Sequence, residues 1–139
     1  MDHDRWGPLK KEFGGAAVST KPDLMIHMLE VLNIQEGQRI LEIGTGTGYN
    51  AALLGHRLGD DNVFSVDIDP ELIDTARRRL ADIGRHPHLT VGNGAEGWPE
   101  YAPYDRIIAT CAVRRLPWVW YDQLNPRGAV AGRLQTTSR

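Results

Sequence analysis

Arg39-Ile40-Leu41-Glu42-Ile43-Gly44-Thr45-Gly46-Thr47-Gly48-Tyr49 is the stretch on which the fold turns. Its first five residues are largely apolar and read as a buried strand. Three alternating glycines follow, and Tyr49 to Leu58 then carries a helical pattern. A glycine loop by itself is a weak signal; a glycine loop between a strand and a helix is a stronger one. Glycine there allows a sharp turn and lets a ligand come close to the backbone. The dinucleotide fingerprint G-x-G-x-x-G would put its third glycine at position 49, where this chain has Tyr49; its third glycine is Gly48. The loop therefore suits a smaller uncharged or cationic group better than a pyrophosphate. A dinucleotide-dependent oxidoreductase is disfavoured on that ground and because no acid for hydride transfer is evident.

Working outward, Pro22 opens a helix in which Met25, Met28, Leu29 and Leu32 recur at helical spacing. Gln35-Glu36-Gly37 makes a turn. After the first crossover helix, Gly59 marks a stop and Asn62 to Asp67 reads as a second strand. Pro70 to Ile83 is a second helix, closed by Gly84. Leu89-Thr90-Val91 and Tyr104 to Thr110 are the third and fourth strands, Trp118 to Leu124 is helical, and Asn125-Pro126-Arg127-Gly128 is a turn. Ala129 to Leu134 is the fifth strand. Alternating strands and helices predict a doubly wound, mainly parallel α/β sheet of Rossmann-like type. Ligands bind such sheets at the carboxyl ends of the strands, where strand order reverses, and the loop after the first strand lies there. Residues 1–17 read as an irregular arm, with the folded domain over 18–139.

Asp67 ends the second strand about twenty residues after the loop, where a carboxylate accepts hydrogen bonds from both hydroxyls of a ribose. Asp69, just ahead of Pro70, fits a helix cap better than Asp67 does. Glu42 lies inside an apolar strand, where a carboxylate is costly unless paired. Either a cationic ligand compensates it or it bonds loop amides. Asn93, within Gly92-Asn93-Gly94, is either an adenine contact or part of a plain turn. His86-Pro87-His88 lacks an acidic or Cys partner and reads as loop rather than metal site. Cys111 follows an apolar strand and reads as a small core residue rather than a nucleophile.

The chain has 139 residues, which fits one domain; 41% are hydrophobic and 24% charged, and the formal net charge is -2. No long run of one sign points to nucleic acid or an anionic membrane. Arg77-Arg78-Arg79 reads as a solvated helix face. The single cysteine forms no internal disulfide and favours a reducing, cytoplasmic setting. No apolar run approaches the roughly 20 residues of a membrane span. The start, Met1-Asp2-His3-Asp4-Arg5, leads into no signal-peptide pattern.

With these residues in hand, the chain resembles the protein-L-isoaspartate O-methyltransferases from about Val18 to Leu134. Arg39 to Ala52 is similar to that family's first methyltransferase motif. Gly92-Asn93-Gly94-Ala95-Glu96-Gly97-Trp98-Pro99 and Ala102-Pro103-Tyr104-Asp105 resemble its next block, a pairing more specific than the glycine loop. Arg115-Leu116-Pro117 and Gln123 to Gly128 resemble the approach to its fifth strand. The chain also resembles the related methyltransferases of ATP-grasp peptide maturation, through Thr45 to Asn50 and Ile107-Ile108-Ala109-Thr110-Cys111. The resemblance implies a class I methyltransferase sheet that binds S-adenosylmethionine. Glu42, Gly44, Thr45, Gly46 and Gly48 would hold that cofactor from the first motif, Asp67 and Ile68 from the second strand, and Asn93 and Gly94 from the third. Asn93 stands where the family usually has Asp and keeps one acceptor. In the family a Ser or Thr followed by x-Pro lies at the active site, and Thr20-Lys21-Pro22 occupies that place, so Thr20 is the implied active-site residue; it is also placed to cap the first helix.

The implied activity is methyl transfer to an isoaspartyl or aspartyl carboxylate of a protein or peptide by a monomer or weak oligomer. No metal and no nucleic acid enter it. The family carries an N-terminal helical portion and strands beyond the fifth, so the sheet is expected to be truncated after its fifth strand. A cofactor-binding module without turnover is the alternative.

Overall fold

A computed structural model describes residues 22–113 and 115–134. The elements are α1 (Pro22–Val31), β1 (Ile40–Ile43), α2 (Tyr49–Leu58), β2 (Val63–Asp67), α3 (Pro70–Asp82), β3 (His88–Val91), β4 (Tyr104–Val113), α4 (Trp118–Asp122) and β5 (Leu124–Leu134). The five strands form one sheet in the order β3-β2-β1-β4-β5, and every neighbouring pair is parallel. The chain moves outward from β1 to β3 and then returns to the other side of β1 for β4. Strand order therefore reverses between β1 and β4, and the loop after β1 opens at that point. The doubly wound Rossmann-like expectation holds.

Side chains alternate across a strand, so β1 feeds two cores. Ile40 packs on one face with Leu29, Ile34, Leu53, Val63, Ala76, Leu80 and Ile108. Leu41 and Ile43 pack on the other with Phe64, Val66, Tyr104, Ile107 and Trp120. All four residues of β1 are buried, as a central parallel strand covered on both faces requires. Helix α3 buries Ile73, Ala76 and Leu80, a stripe at helical spacing. Its opposite side carries Arg77 and Arg78 in solvent, Arg78 reaching Asp74 at 3.2 Å, one turn away.

Several boundaries differ from the sequence reading, by one residue at β2, β3 and α3 and by three at the end of β4, which takes in Cys111; the largest differences are at β5 and α4. Strand β5 begins at Leu124, not Ala129, because Leu124 pairs with Tyr104 before the ladder resumes at Ala129 opposite Arg106. Five residues of β5 thus advance against two of β4, and Asn125-Pro126-Arg127-Gly128 is a bulge within a strand rather than a turn before one. Asn125 holds it in place by hydrogen bonding to the Asp105 carboxylate. Helix α4 correspondingly stops at Asp122. His88 belongs to β3 and stacks on Phe64, with ring centroids 4.6 Å apart, so its role is packing. Among the described residues no His, Cys, Asp and Glu cluster suits a metal ion, and no helix is long and apolar enough to cross a membrane.

Candidate functional site

The glycine loop is fixed by short hydrogen bonds from both neighbouring strands. The Gly44 amide donates to the Val66 carbonyl at 2.8 Å, and the Thr110 hydroxyl donates to the Gly44 carbonyl at 2.6 Å. The Gly46 amide donates to Asp67 Oδ2 at 3.1 Å. Gly48 takes φ +91° as it starts α2, and a Cβ there would stand 3.1 Å from that of Ala76. Gly48 thus lets α2 begin directly against α3, and its contribution to the site is through packing.

Asp67 ends β2 partly buried. Its Oδ1 accepts the Asp69 amide at 3.1 Å while Oδ2 holds the loop, so it is oriented from both sides. Asp69 caps α3, accepting the Glu71 amide at 2.9 Å, as its place before Pro70 suggested. Ile68, between them, is 73% exposed.

Beyond β3, Gly94 permits a close approach: a Cβ there would lie 2.5 Å from Ile43 Cγ2. Asn93 Oδ1 accepts the Ala95 amide at 3.0 Å and starts the short turn Gly94–Glu96. The turn reading of Asn93 is therefore realised, while the adenine contact is untouched by it. Trp120 Nε1 donates to the Gly94 carbonyl at 2.8 Å. Gln123 accepts the Trp98 amide and donates to the Glu96 carbonyl, both at 2.9 Å. The Gly-Trp-Pro block thus anchors the loop after β3 to α4.

These segments enclose a cavity of about 290 Å³ at the carboxyl ends of the strands. Ile43, Gly44, Val66, Asp67, Ile68, Asn93, Gly94, Ala95, Pro117 and Trp120 line it. Five predicted residues meet there: Gly44, Asp67, Ile68, Asn93 and Gly94. Glu42, Thr45, Gly46 and Gly48 do not line it; Gly44 is the residue of the glycine loop that does. Thr20 lies outside the described residues. Pro117 and Trp120 were not foreseen as wall residues. Their signal was the segment Arg115-Leu116-Pro117, whose place between β4 and β5 puts it at the same end of the sheet.

Glu42 is fully buried, on the sheet face covered by α2 and flanked in register by Ser65 of β2 and Ile108 of β4. The Ser65 hydroxyl donates to Glu42 Oε1 at 2.6 Å, and Ser65 Oγ lies 2.6 Å from Thr45 Oγ1. Glu42 Oε2 makes no hydrogen bond among the described residues. Burial pushes the carboxyl up to about 8; hydrogen bonding, chiefly from Ser65, opposes the rise, and the charge of Asp67 adds to it. A buried carboxylate with an orphan oxygen next to a glycine loop suits a cationic group.

The profile of the protein-L-isoaspartate(D-aspartate) O-methyltransferase family matches residues 4–136. The protein-L-isoaspartate O-methyltransferase of Pyrococcus abyssi is 40% identical over 82% of this chain and 52% of its own length. That of Gloeobacter violaceus is 41% identical over 87% of this chain and 57% of its own. A solved protein-L-isoaspartate O-methyltransferase superposes with a TM-score of 0.74 at 36% identity, over 80% of this chain and 36% of that one. A methyltransferase from Thiobacillus denitrificans, in complex with S-adenosyl-L-homocysteine, shares the fold with a TM-score of 0.67 at 17% identity, over 94% of this chain and 55% of that one. The chain spans about half the length of the curated relatives it matches. On the extent of the profile match and the identity to these relatives, the chain belongs to the protein-L-isoaspartate(D-aspartate) O-methyltransferase family.

Proposed function

We propose that this chain is the S-adenosylmethionine-binding core of a methyltransferase that esterifies an isoaspartyl or aspartyl carboxylate in a protein or peptide. The observation that carries the reading is the cavity where strand order reverses, with Asp67 at its edge and the buried carboxylate of Glu42 two residues before Gly44, which lines it. Asp67, held by the Gly46 and Asp69 amides, presents a fixed acceptor to ribose hydroxyls. Ile43, Val66 and the exposed Ile68 offer apolar surface to a flat ring. Asn93 and the backbone of Gly94 and Ala95 supply polar groups at its rim. Glu42 supplies the negative charge that a sulfonium and an ammonium require.

When bound, the cofactor supplies a methyl group on a cationic sulfur, open to in-line displacement by an oxygen nucleophile. A carboxylate with a pKa near ~4 is ionised at neutral pH, so the protein needs no strong base. Its contribution is alignment, which supplies on the order of 7–11 kcal/mol in well-oriented reactions. Thr20 is assigned from the family pattern to hold the substrate carboxylate by a hydrogen bond. The reading includes a cytoplasmic setting and a monomer or weak oligomer.

Calorimetric titration with S-adenosylmethionine and S-adenosylhomocysteine, with NADH as control, tests the cofactor assignment. Both sulfur ligands should bind, and Asp67→Ala should weaken them roughly tenfold or more, the loss expected for hydrogen bonds to a charged acceptor. Methylation of an isoaspartyl peptide, lowered by Thr20→Ala at unchanged cofactor affinity, tests the transfer. A folded chain that prefers NADH, or binds neither sulfur ligand, would overturn the proposal.

A further inference from the structure

We propose that Ser65 is a positioning residue for the cofactor loop, tying the Glu42 carboxylate to Thr45 so that binding a cationic ligand and ionising Glu42 occur together and release one proton. The inference rests on the cofactor reading above and goes beyond it in assigning a role to Ser65 and a proton to the binding step.

With Glu42 ionised, the direction of the hydrogen bonds follows from the donors available. Ser65 has one hydroxyl proton, and that proton points to Glu42 Oε1 at 2.6 Å. Ser65 Oγ then accepts from the Thr45 hydroxyl, 2.6 Å away. The resulting chain, Thr45 to Ser65 to Glu42, runs from the glycine loop through β2 to β1. All three residues are buried, Glu42 and Ser65 at 0% exposure and Thr45 at 2%. In so dry a place hydrogen bonds strengthen one another, and a charge at one end orders the whole chain. With Glu42 ionised, only this direction satisfies both bonds. With Glu42 neutral, its own proton competes for Ser65 and the order is lost. Thr45 sits between Gly44 and Gly46, whose amides are anchored to Val66 and Asp67, so the state of Glu42 reaches Gly44 and Asp67 in the cavity wall.

The neighbours of Glu42 leave the proton to the ligand. Ser65 faces it from β2, Ile108 from β4 and Asn50 from α2. The charged group that acts on it is Asp67, which is acidic and favours the neutral form. Among the described residues no cation offsets the buried charge, and Oε2 lacks a partner. A bound sulfonium or ammonium supplies the missing positive field, lowers the affinity of Glu42 for its proton, and the proton leaves to solvent. The balance is one cationic ligand bound and one proton released.

Calorimetry of S-adenosylmethionine and S-adenosylhomocysteine binding at pH 6.5, in two buffers of different ionisation enthalpy, reads that proton directly. The wild-type chain should release close to one proton per S-adenosylmethionine, and Glu42→Gln none. Ser65→Ala should bind roughly tenfold more weakly and still release a proton up to higher pH than wild type, because the larger of the two hydrogen-bond contributions favouring the charged form, those of Ser65 and Asn50, is gone. Thr45→Val should weaken binding and move the pH range of proton release upward by less than Ser65→Ala does, because it removes only the outer bond of the chain. Circular dichroism identifies any variant that fails to fold, and the wild-type and Thr45→Val chains then still decide the matter. Binding without proton release in wild type, or a Ser65→Ala chain identical to wild type in affinity and proton release, overturns this inference alone. Absence of binding by either ligand overturns the functional reading and this with it.

Discussion

Glu42 shows what a fully buried carboxyl costs in stability. Its carboxyl is carried from 4.5 to about 8 mainly by burial. The folded state therefore holds a proton that the unfolded state releases between those values, and stability falls as pH rises through that window. The contribution is full below about 4.5 and gone above about 8. Glu42→Gln removes the titration while keeping an acceptor for Ser65. Its melting temperature should exceed that of wild type by roughly 5 °C or more at pH 8.5, with little difference at pH 5, when both are followed by circular dichroism. An equal gain at both values would show that Glu42 does not titrate in this range. Asp67 and Asp69 show the converse, two acidic neighbours with separable tasks, one facing the loop and the other a helix end. The cap was legible from spacing alone, because Asp69 acts on backbone two residues away; the bond from the Gly46 amide to Asp67 spans 21 residues and was not read from the sequence. The role of Ser65 was not legible either, since its link to Glu42 spans 23 residues and depends on strand register.

At the scale of elements, the site is built by loops held from behind. Asp69 caps α3, so Asp69→Ala should cost about 1 kcal/mol in urea unfolding. The same variant should keep cofactor affinity, whereas Asp67→Ala should lose affinity with a smaller stability cost. Equal loss of affinity in both would mean that α3 positions the cavity edge. Helix α4 acts through its buried side: Trp120, at 1% exposure, ties down the Gly94 turn, while Trp118 is 85% exposed. The crossover helices were readable because their apolar stripes and glycine stops are local. The bulge in β5 was not, because Asn125-Pro126-Arg127-Gly128 has turn chemistry, and only pairing of Leu124 with Tyr104 draws it into the strand.

For the whole molecule, the sheet order puts contributions from β1, β2, β3 and α4 around one cavity. A ligand there bridges segments distant in sequence and binds only the folded chain. At one hundred times its dissociation constant, S-adenosylhomocysteine should add about 2.7 kcal/mol of stability, raising the melting temperature several degrees. A rise under a degree at that ratio, with binding confirmed independently, would mean that the cavity forms only in part or that the unfolded chain also binds.

The sequence by itself determined the order of strands and helices, the glycine loop that opens the site and the cap on α3, while Ile68 and Gly94 of the cavity wall came from the family resemblance. It did so because apolar periodicity, helix caps and tight turns are properties of neighbouring residues. The tertiary structure decided which residues share a surface. Strand register set Ser65 and Ile108 on either side of Glu42, and the passage through α4 brought Pro117 and Trp120 to the cavity. These contacts join residues more than twenty positions apart, and no local pattern encodes the distance between them.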